Sequence, residues 1–514
     1  MNASTVTHNQ DNGVNITYGG GWRIVNMTSL LHNHGNGLNI TINETRVDNK
    51  TRYARHQRTE VSESHFNYND GIGVRVGNFC ESSQIAINDS HFIHNSKAGV
   101  ELESCFKVIP QANITNFTVS YNYFEGNYGH AIRIVPLVNA KGIISNNTFT
   151  HHPRHVLLLD NGDDFLMSRH FTLLPVDYKV WGNRFLNNMG FYVVNLRLTE
   201  KSSVQKLLFQ FNVLIDNEIE GGFPTLNART KANAVVVISS TNINCSRNHL
   251  VNPLSKFELA SQLLDPGAYI KGGQQYWGTT EYKEIITRIF DHYSRFSLAT
   301  IEYHPVLTQD WLYAPSDSLT WTQLPVEIEF EREGGTYLGG QLRSGESKTL
   351  RSNHKYIVDR DINVLRGAQL FLDEGTELHF MNAVGMFVQG RLDTRQRSHN
   401  NAPALLGLYN DTTYVNSSSV RLVGGATELE GRLEVRPDEN LAWGTVCDVV
   451  SVETCVTENL AWGTVCDVVS IETCVTENLA WGTVCDVVSV ETCVTENLAW
   501  GTVCDVVSIE TCVM

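Results

Sequence analysis

HFNYNDGIGVRV (residues 65–76) and HFIHNSKAGVEL (residues 91–102) share one pattern. An apolar anchor, Phe66 or Phe92, is followed three residues on by an asparagine, Asn69 or Asn95. Eight and ten residues past the anchor come two more apolar residues, Val74/Val76 and Val100/Leu102. A pair at i, i+2 marks a strand with one buried face. The same reading extends outward to Val6/Asn9, Leu30/Asn33, Phe124/Asn127 and Phe185/Asn188, and to Phe149 with His152 in the asparagine place. Successive anchors lie 24, 36, 26, 32, 25 and 36 residues apart.

The core positions hold while the spacing varies. Eight past each anchor stand Val14, Leu38, Val74, Val100, Ile132, Leu157 and Val193; ten past stand Ile16, Ile40, Val76, Leu102, Ile134 and Leu159, with a miss at Asn195. Five before stand Val25, Val61, Ile87, Val119, Ile144 and Val180, and the pattern weakens at Leu214/Ile219 and Cys245/Leu250. Short strands, tight Asn/Gly turns and loops of free length predict an all-β, right-handed parallel β-helix of the pectin-lyase-like kind over residues 1–255. The asparagine column then reads as a hydrogen-bonded ladder between stacked turns, a structural feature and not a site.

The chain has 39 basic and 55 acidic residues, a net charge of −16, and no basic run, which speaks against a nucleic-acid partner. It has no apolar run of about 18 residues and no signal-like start, so the reading at this level is a cytosolic protein or a piece of a longer one. Thirteen N-x-[ST] sequons favour the second: Asn2, Asn15, Asn26, Asn39, Asn43, Asn49, Asn88, Asn113, Asn116, Asn146, Asn244, Asn410 and Asn416. Cys80 and Cys105 fall 14 and 13 residues past their anchors. They are expected to stack in consecutive coils and form a disulfide, as an oxidising compartment would allow. Cys245 reads as a buried free thiol.

Catalysis on such a scaffold needs clustered carboxylates, or acid residues holding Ca²⁺ beside a base. The best local candidate is DNGDDF, with Asp160, Asp163 and Asp164 near Arg154 and His155, but no second carboxylate cluster recurs on that face. An Asx-rich exposed turn is the better reading. His8, His32, His94 and His151 all lie two residues after an anchor, yet Tyr68, Gly126 and Asn187 share that column. It reads as a solvated polar column without a metal set. No catalytic, metal or cofactor residue is assigned.

Residues 256–305 read as the segment closing the solenoid, with a helix over 280–293 built on Tyr282, Ile285, Ile286, Ile289 and Phe290, capped by Thr280, and with Trp277 as a packing anchor. Residues 306–345, punctuated by Pro and Gly-Gly, read as a connector. Over 346–400, Ile362/Val364, Leu370/Leu372, Leu378/Phe380 and Met386/Val388 predict a second β-helix-like block with glycines 367, 375, 385 and 390 at or near the bends.

Residues 418–448 carry VRLVGGATELEGRLEVRPDENLAWGTVCD, which resembles the opening of a scavenger-receptor cysteine-rich domain, truncated here. Together with the β-helix, QQYWGTTEYKEIITRIFDHY and GMFVQGRL, the order over residues 1–448 resembles the bark beetle (anakonda) family of epithelial junction proteins. The resemblance implies a non-catalytic adhesion or scaffold role at cell–cell contacts, with protein, glycan or homotypic partners. It also implies a cell-surface location, with membrane attachment only through a segment absent from this chain. The rival readings are a polysaccharide lyase or hydrolase and a scavenger-type ligand binder. Finally, residues 439–514 hold four near-identical copies of ENLAWGTVCDVVSVETCVT. Exposed and buried positions are equally unchanged, which points to recent duplication or misassembly and not to a selected module.

Overall fold

The computed structural model describes residues 1–18, 22–42, 57–79, 83–104, 114–135, 140–161, 175–198, 204–219, 233–318, 328–332, 334–381 and 384–395, and beyond these the strands alone. It is almost entirely β, built of long parallel sheets, a parallel β-helix solenoid. The chain divides into two units, the first formed by Met1–Leu263, Gly267–Phe290 and Ala299–Leu324.

In the first unit each coil contributes one strand to each of three sheets, in chain order. In the third coil these are Gln57–Ser62 in sheet 1, His65–Asn67 in sheet 2 and Ile72–Phe79 in sheet 3. Sheets 1 and 3 have ten strands and sheet 2 has nine, all parallel. The anchors align as the sequence predicts, Phe66 opposite Phe92 opposite Phe124, and their rings stack down the interior at centroid spacings of 5.1, 4.8, 4.9 and 4.7 Å from Phe66 to Phe185. All five rings are fully buried. Burial of a large apolar side chain contributes about 1.5–3 kcal/mol, so this column is a main source of the unit's stability.

The three-residue strand of sheet 2 is so short because a left-handed residue bounds it on each side. His8, His32, Tyr68, His94, Gly126, His151, Asn187 and Asp216 have φ of 52–58° just after it; Met27, Glu63, Asp89, Tyr121, Asn146, Gly182 and Phe211 have φ of 47–68° just before it. Each reversal turns the next residue inward, where it must find hydrogen bonds. After the strand this residue is the predicted asparagine. Asn33 Nδ2 donates to Asn69 Oδ1 at 2.9 Å, and Asn69 to Asn95 and Asn95 to Asn127 at the same distance. Each amide oxygen also accepts the backbone N–H of the coil before it, as Asn127 Oδ1 does from Asn95 at 3.0 Å.

Before the strand runs a second ladder: Thr28, Ser64, Ser90, Asn122, Asn147, Asn183, Asn212, Asn248 and Gln275. It escaped the sequence because its first three members are hydroxyl residues and only the later ones are amides. The miss at Asn195 also finds its cause. Leu157 pairs with Val194 and Leu159 with Leu196, so the coil carries one extra residue, and Val194 and Leu196 take the places expected of Val193 and Asn195. The extra residue is accommodated at Gly190, whose φ is +139° and where a Cβ would lie 1.2 Å from the Arg154 carbonyl oxygen.

The closing segment differs from expectation. Helix Tyr282–Thr287 has six residues instead of spanning 280–293, because Ile289–Phe290 leave it as the last strand of sheet 3. These β-prone residues gain ladder partners there that a helix would not offer. Thr280 does not cap the helix; Thr279 Oγ1 accepts from the Glu281 N–H at 3.1 Å. Sheet 3 thus ends at Phe290, while sheet 1 continues through Glu302. Trp277 is buried, as an anchor should be.

The second unit comprises Leu264–Pro266, Asp291–Leu298 and Pro325–Met514. Its strands begin at Glu329, inside the predicted connector. Two parallel sheets alternate: Gly335–Leu342, Lys355–Val364, Glu377–Phe380 with Met386–Val388, and Leu405–Leu408 in one; Ser347–Leu350, Gln369–Asp373 and Arg391–Arg395 in the other. Val420–Gly424, Gly431–Val435 and Gly444–Thr445 form a small antiparallel sheet. The nineteen-residue copies stack in register, Cys447 opposite Cys466 and Cys455 opposite Cys474, as one rung per copy.

Candidate functional site: outward faces of the solenoid

With the interior filled, the chemistry of this molecule lies on its outward faces and corners. On sheet 3, outward residues of neighbouring strands pair across the ladder. Arg75 meets Glu101 at 3.2 Å and Glu103 at 2.6 Å, Arg133 meets Glu101 at 2.8 Å, and Arg197 meets Asp160 at 3.4 Å. The carboxylates are thus held as ion pairs. Asp160 belongs to this stripe, whereas Asp163 and Asp164 lie outside the described residues. Among the described residues no three His, Cys, Asp or Glu side chains converge as metal ligands.

The histidine column is exposed and stacked. His8 lies 5.1 Å from His32, His32 5.0 Å from Tyr68, and Tyr68 5.3 Å from His94, with rings nearly parallel. Each ring covers its neighbour's face, so the column presents edges to solvent, suited to hydrogen bonding and not to stacking on a ligand. A second ring column, His65, His91 and Tyr123, stands on sheet 2 at 4.9 and 5.7 Å. It was not read from the sequence, although its signal is plain once the anchors are aligned: each ring immediately precedes an anchor Phe.

One corner is unlike the rest. His130 Nε2 lies 3.0 Å from Tyr192 Oη, and the His155 ring sits 4.3 Å from that of Tyr192 and 5.1 Å from His130. Burial, aided by His155 and Arg133, lowers the His130 pKa to about 3. His152, in the asparagine ladder, is lowered to about 4 by complete burial. Of the residues near the acidic stretch, His155 packs on Tyr192, and Arg154 lies over the Tyr128 ring at 4.5 Å.

Among the sequons, Asn2, Asn15 and Asn116 are exposed, and Asn26, Asn39, Asn88, Asn146 and Asn244 are half-buried. Asn43, Asn49, Asn113 and Asn410 lie outside the described residues, and of Asn416 only the strand is described. Cys80 and Cys105 also lie outside them, each next in the chain to a strand end, Phe79 and Ser104, that face each other in register. Cys245 is buried and free, its Sγ 3.4 Å from Gln275 Nε2, and desolvation raises its pKa to about 12. Among the described residues no helix is long and apolar enough to cross a membrane.

A parallel β-helix with paired surface charges and a solid core is the class that fold and surface define. No family model matches the chain. It is 30% identical over 451 residues to Protein bark beetle of Drosophila melanogaster, a match covering 79% of this chain. The chain belongs to the bark beetle family, and it spans 14% of the length of that relative.

Proposed function

We propose that this chain is a non-catalytic part of a cell-surface protein acting in adhesion or scaffolding at epithelial cell–cell junctions. Its relation to Protein bark beetle carries the reading. The ion pairing of Glu101, Glu103 and Asp160 supports the absence of catalysis, because a carboxylate held by arginine is poorly placed to take or give a proton. Its partners are protein or glycan surfaces, including other copies of the same protein, met by long flat faces. The truncated cysteine-rich segment, 418–448, is an accessory to this role.

Expressed with a secretion leader and a membrane anchor in cultured epithelial cells, the tagged chain should gather at cell borders; uniform surface staining would count against the reading. Secreted material should shift in mass on enzymatic removal of N-glycans. Without reductant, Cys80 and Cys105 should resist alkylation as a disulfide, and free labelling of both would reject that pairing. Depolymerisation of acidic polysaccharides, lost on Asp163→Ala, would replace the proposal with an enzyme.

A further inference from the structure

The turns joining sheet 2 to sheet 3 repeat along the first unit, but in two consecutive coils they hold half-buried or buried imidazoles, and in the third a buried tyrosine packed on them. The column holding Ile72 and Ala98 in earlier coils holds His130, then His155, then Tyr192. The amide ladder holding Asn69, Asn95 and Asn127 next holds His152. His152 Nδ1 donates to the Asn127 carbonyl at 3.1 Å and its backbone N–H to Asn188 Oδ1 at 3.1 Å, but its Nε2 is buried without a partner. His155 Nδ1 is likewise buried and unpartnered.

No carboxylate faces these rings, and burial outweighs the backbone carbonyls that would favour a proton on His152 and His155. The groups acting on His130 are His155, His152 and Arg133; on His155, Arg154 and the Tyr192 backbone; on His152, His94, His151 and the backbone of Asn127 and Phe124. The neighbouring carboxylates Glu101 and Asp160 are taken by Arg75, Arg133 and Arg197. A charge arising on any of the three rings would therefore face nearby cations or other imidazoles and a desolvating environment that a few backbone carbonyls offset only in part.

We propose that these three turns form an acid-sensitive latch, closed while His130, His152 and His155 are neutral and opening locally when protons claim the rings, with the coils at either end left stacked. In the open state each imidazole regains its ordinary affinity for protons, so acid favours opening. Closure is at full strength above the ordinary imidazole range near pH 6.5 and weakens as pH falls below it. At pH 5 each ring that becomes solvated favours opening about 30-fold, and two rings about 1,000-fold. The latch is independent of the adhesion reading, since it concerns the fold alone.

Hydrogen exchange of the whole chain tests it at pH 7.5 and pH 5.0, corrected for intrinsic exchange. Amides of 126–131, 151–156 and 187–193 should lose protection at least 30-fold more than those of 67–72 and 93–98, the same turns without buried rings. Equal loss in both sets, or none in the first, overturns the proposal. His152→Asn, which restores the ladder residue, should remove about 30-fold of the excess, and His130→Ala, the residue of the previous coil, a similar share; an unchanged excess in both also overturns it. Should either variant misfold, the comparison of turns within the unaltered chain still decides.

Discussion

The two units face the same difficulty, polar groups inside a parallel solenoid, and meet it with opposite chemistry. The first relies mainly on neutral side chains: two ladders of amides and hydroxyls that pass hydrogen bonds from coil to coil, with charge only where one ladder ends on the buried Glu258, held by Arg288 at 2.7 Å. The second uses charge. Its central strand, Lys355–Val364, is buried at every residue after the first. Arg360 is fully buried, 3.4 Å from Asp359 and 4.4 Å from the centre of the Phe330 ring, and Arg332 reaches the same Asp359 at 3.0 Å. Asp361 accepts from the Gly385 N–H at 2.8 Å, and burial raises its pKa to about 6 despite Arg295. The lesson lies in repetition. A ladder suits many equivalent coils, because each amide both gives and takes; a charge network suits one place, since each ion needs its own partner.

The comparison can be broken or sharpened by substitution. The largest effect should come from Phe124→Ala, which opens a cavity between Phe92 and Phe149 and should cost the first unit about 3–5 kcal/mol in denaturant unfolding, with little change in exchange protection of the second. Asp359→Ala should cost the second unit a similar amount, about 3–5 kcal/mol, by leaving Arg332 and Arg360 without their counter-ion; an apolar replacement of all three should recover most of it.

Acid should separate the units. The raised Asp361 pKa means that its contribution is fully present below the ordinary carboxylate range and is lost as pH rises through about 6. Acidification from pH 7 to 4 should therefore stabilise the second unit through this group by up to about 3 kcal/mol, and Asp361→Asn should abolish that gain. The lowered pKa values of His130 and His152 act in the opposite sense, so the first unit weakens below about pH 6.5. A smaller effect is expected of Asn95→Ala, which leaves the Asn69 N–H and amide without their acceptor and should cost about 1–3 kcal/mol. Smallest of all, His8→Ala at the exposed end of the ring column should change stability by less than about 0.5 kcal/mol.

Much of this was legible in the sequence because a solenoid repeats its constraints. Each coil is a separate sample of the same environment, so Phe66, Phe92 and Phe124, or Asn69, Asn95 and Asn127, reveal their column by recurrence alone. What recurs under changing letters is harder to see, as with Thr28, Ser64, Ser90 and Asn122, which do one task with different groups. The helical spacing of Tyr282, Ile285 and Ile286 was real, but its extension to Ile289 and Phe290 yielded to a sheet edge that local sequence does not display.

By itself, then, the sequence determined the coil, its inward residues, one ladder and the family, since these rest on periodicity and on motifs carried by neighbouring letters. Only the tertiary structure decided the rest. It placed Tyr192 against His155 and within hydrogen-bonding reach of His130, it joined Arg133 to Glu101 and Asp160 to Arg197, and it brought Arg332 to Asp359. Those contacts depend on the lengths of the loops between coils, which set what lies above what, and no pattern within a coil encodes them.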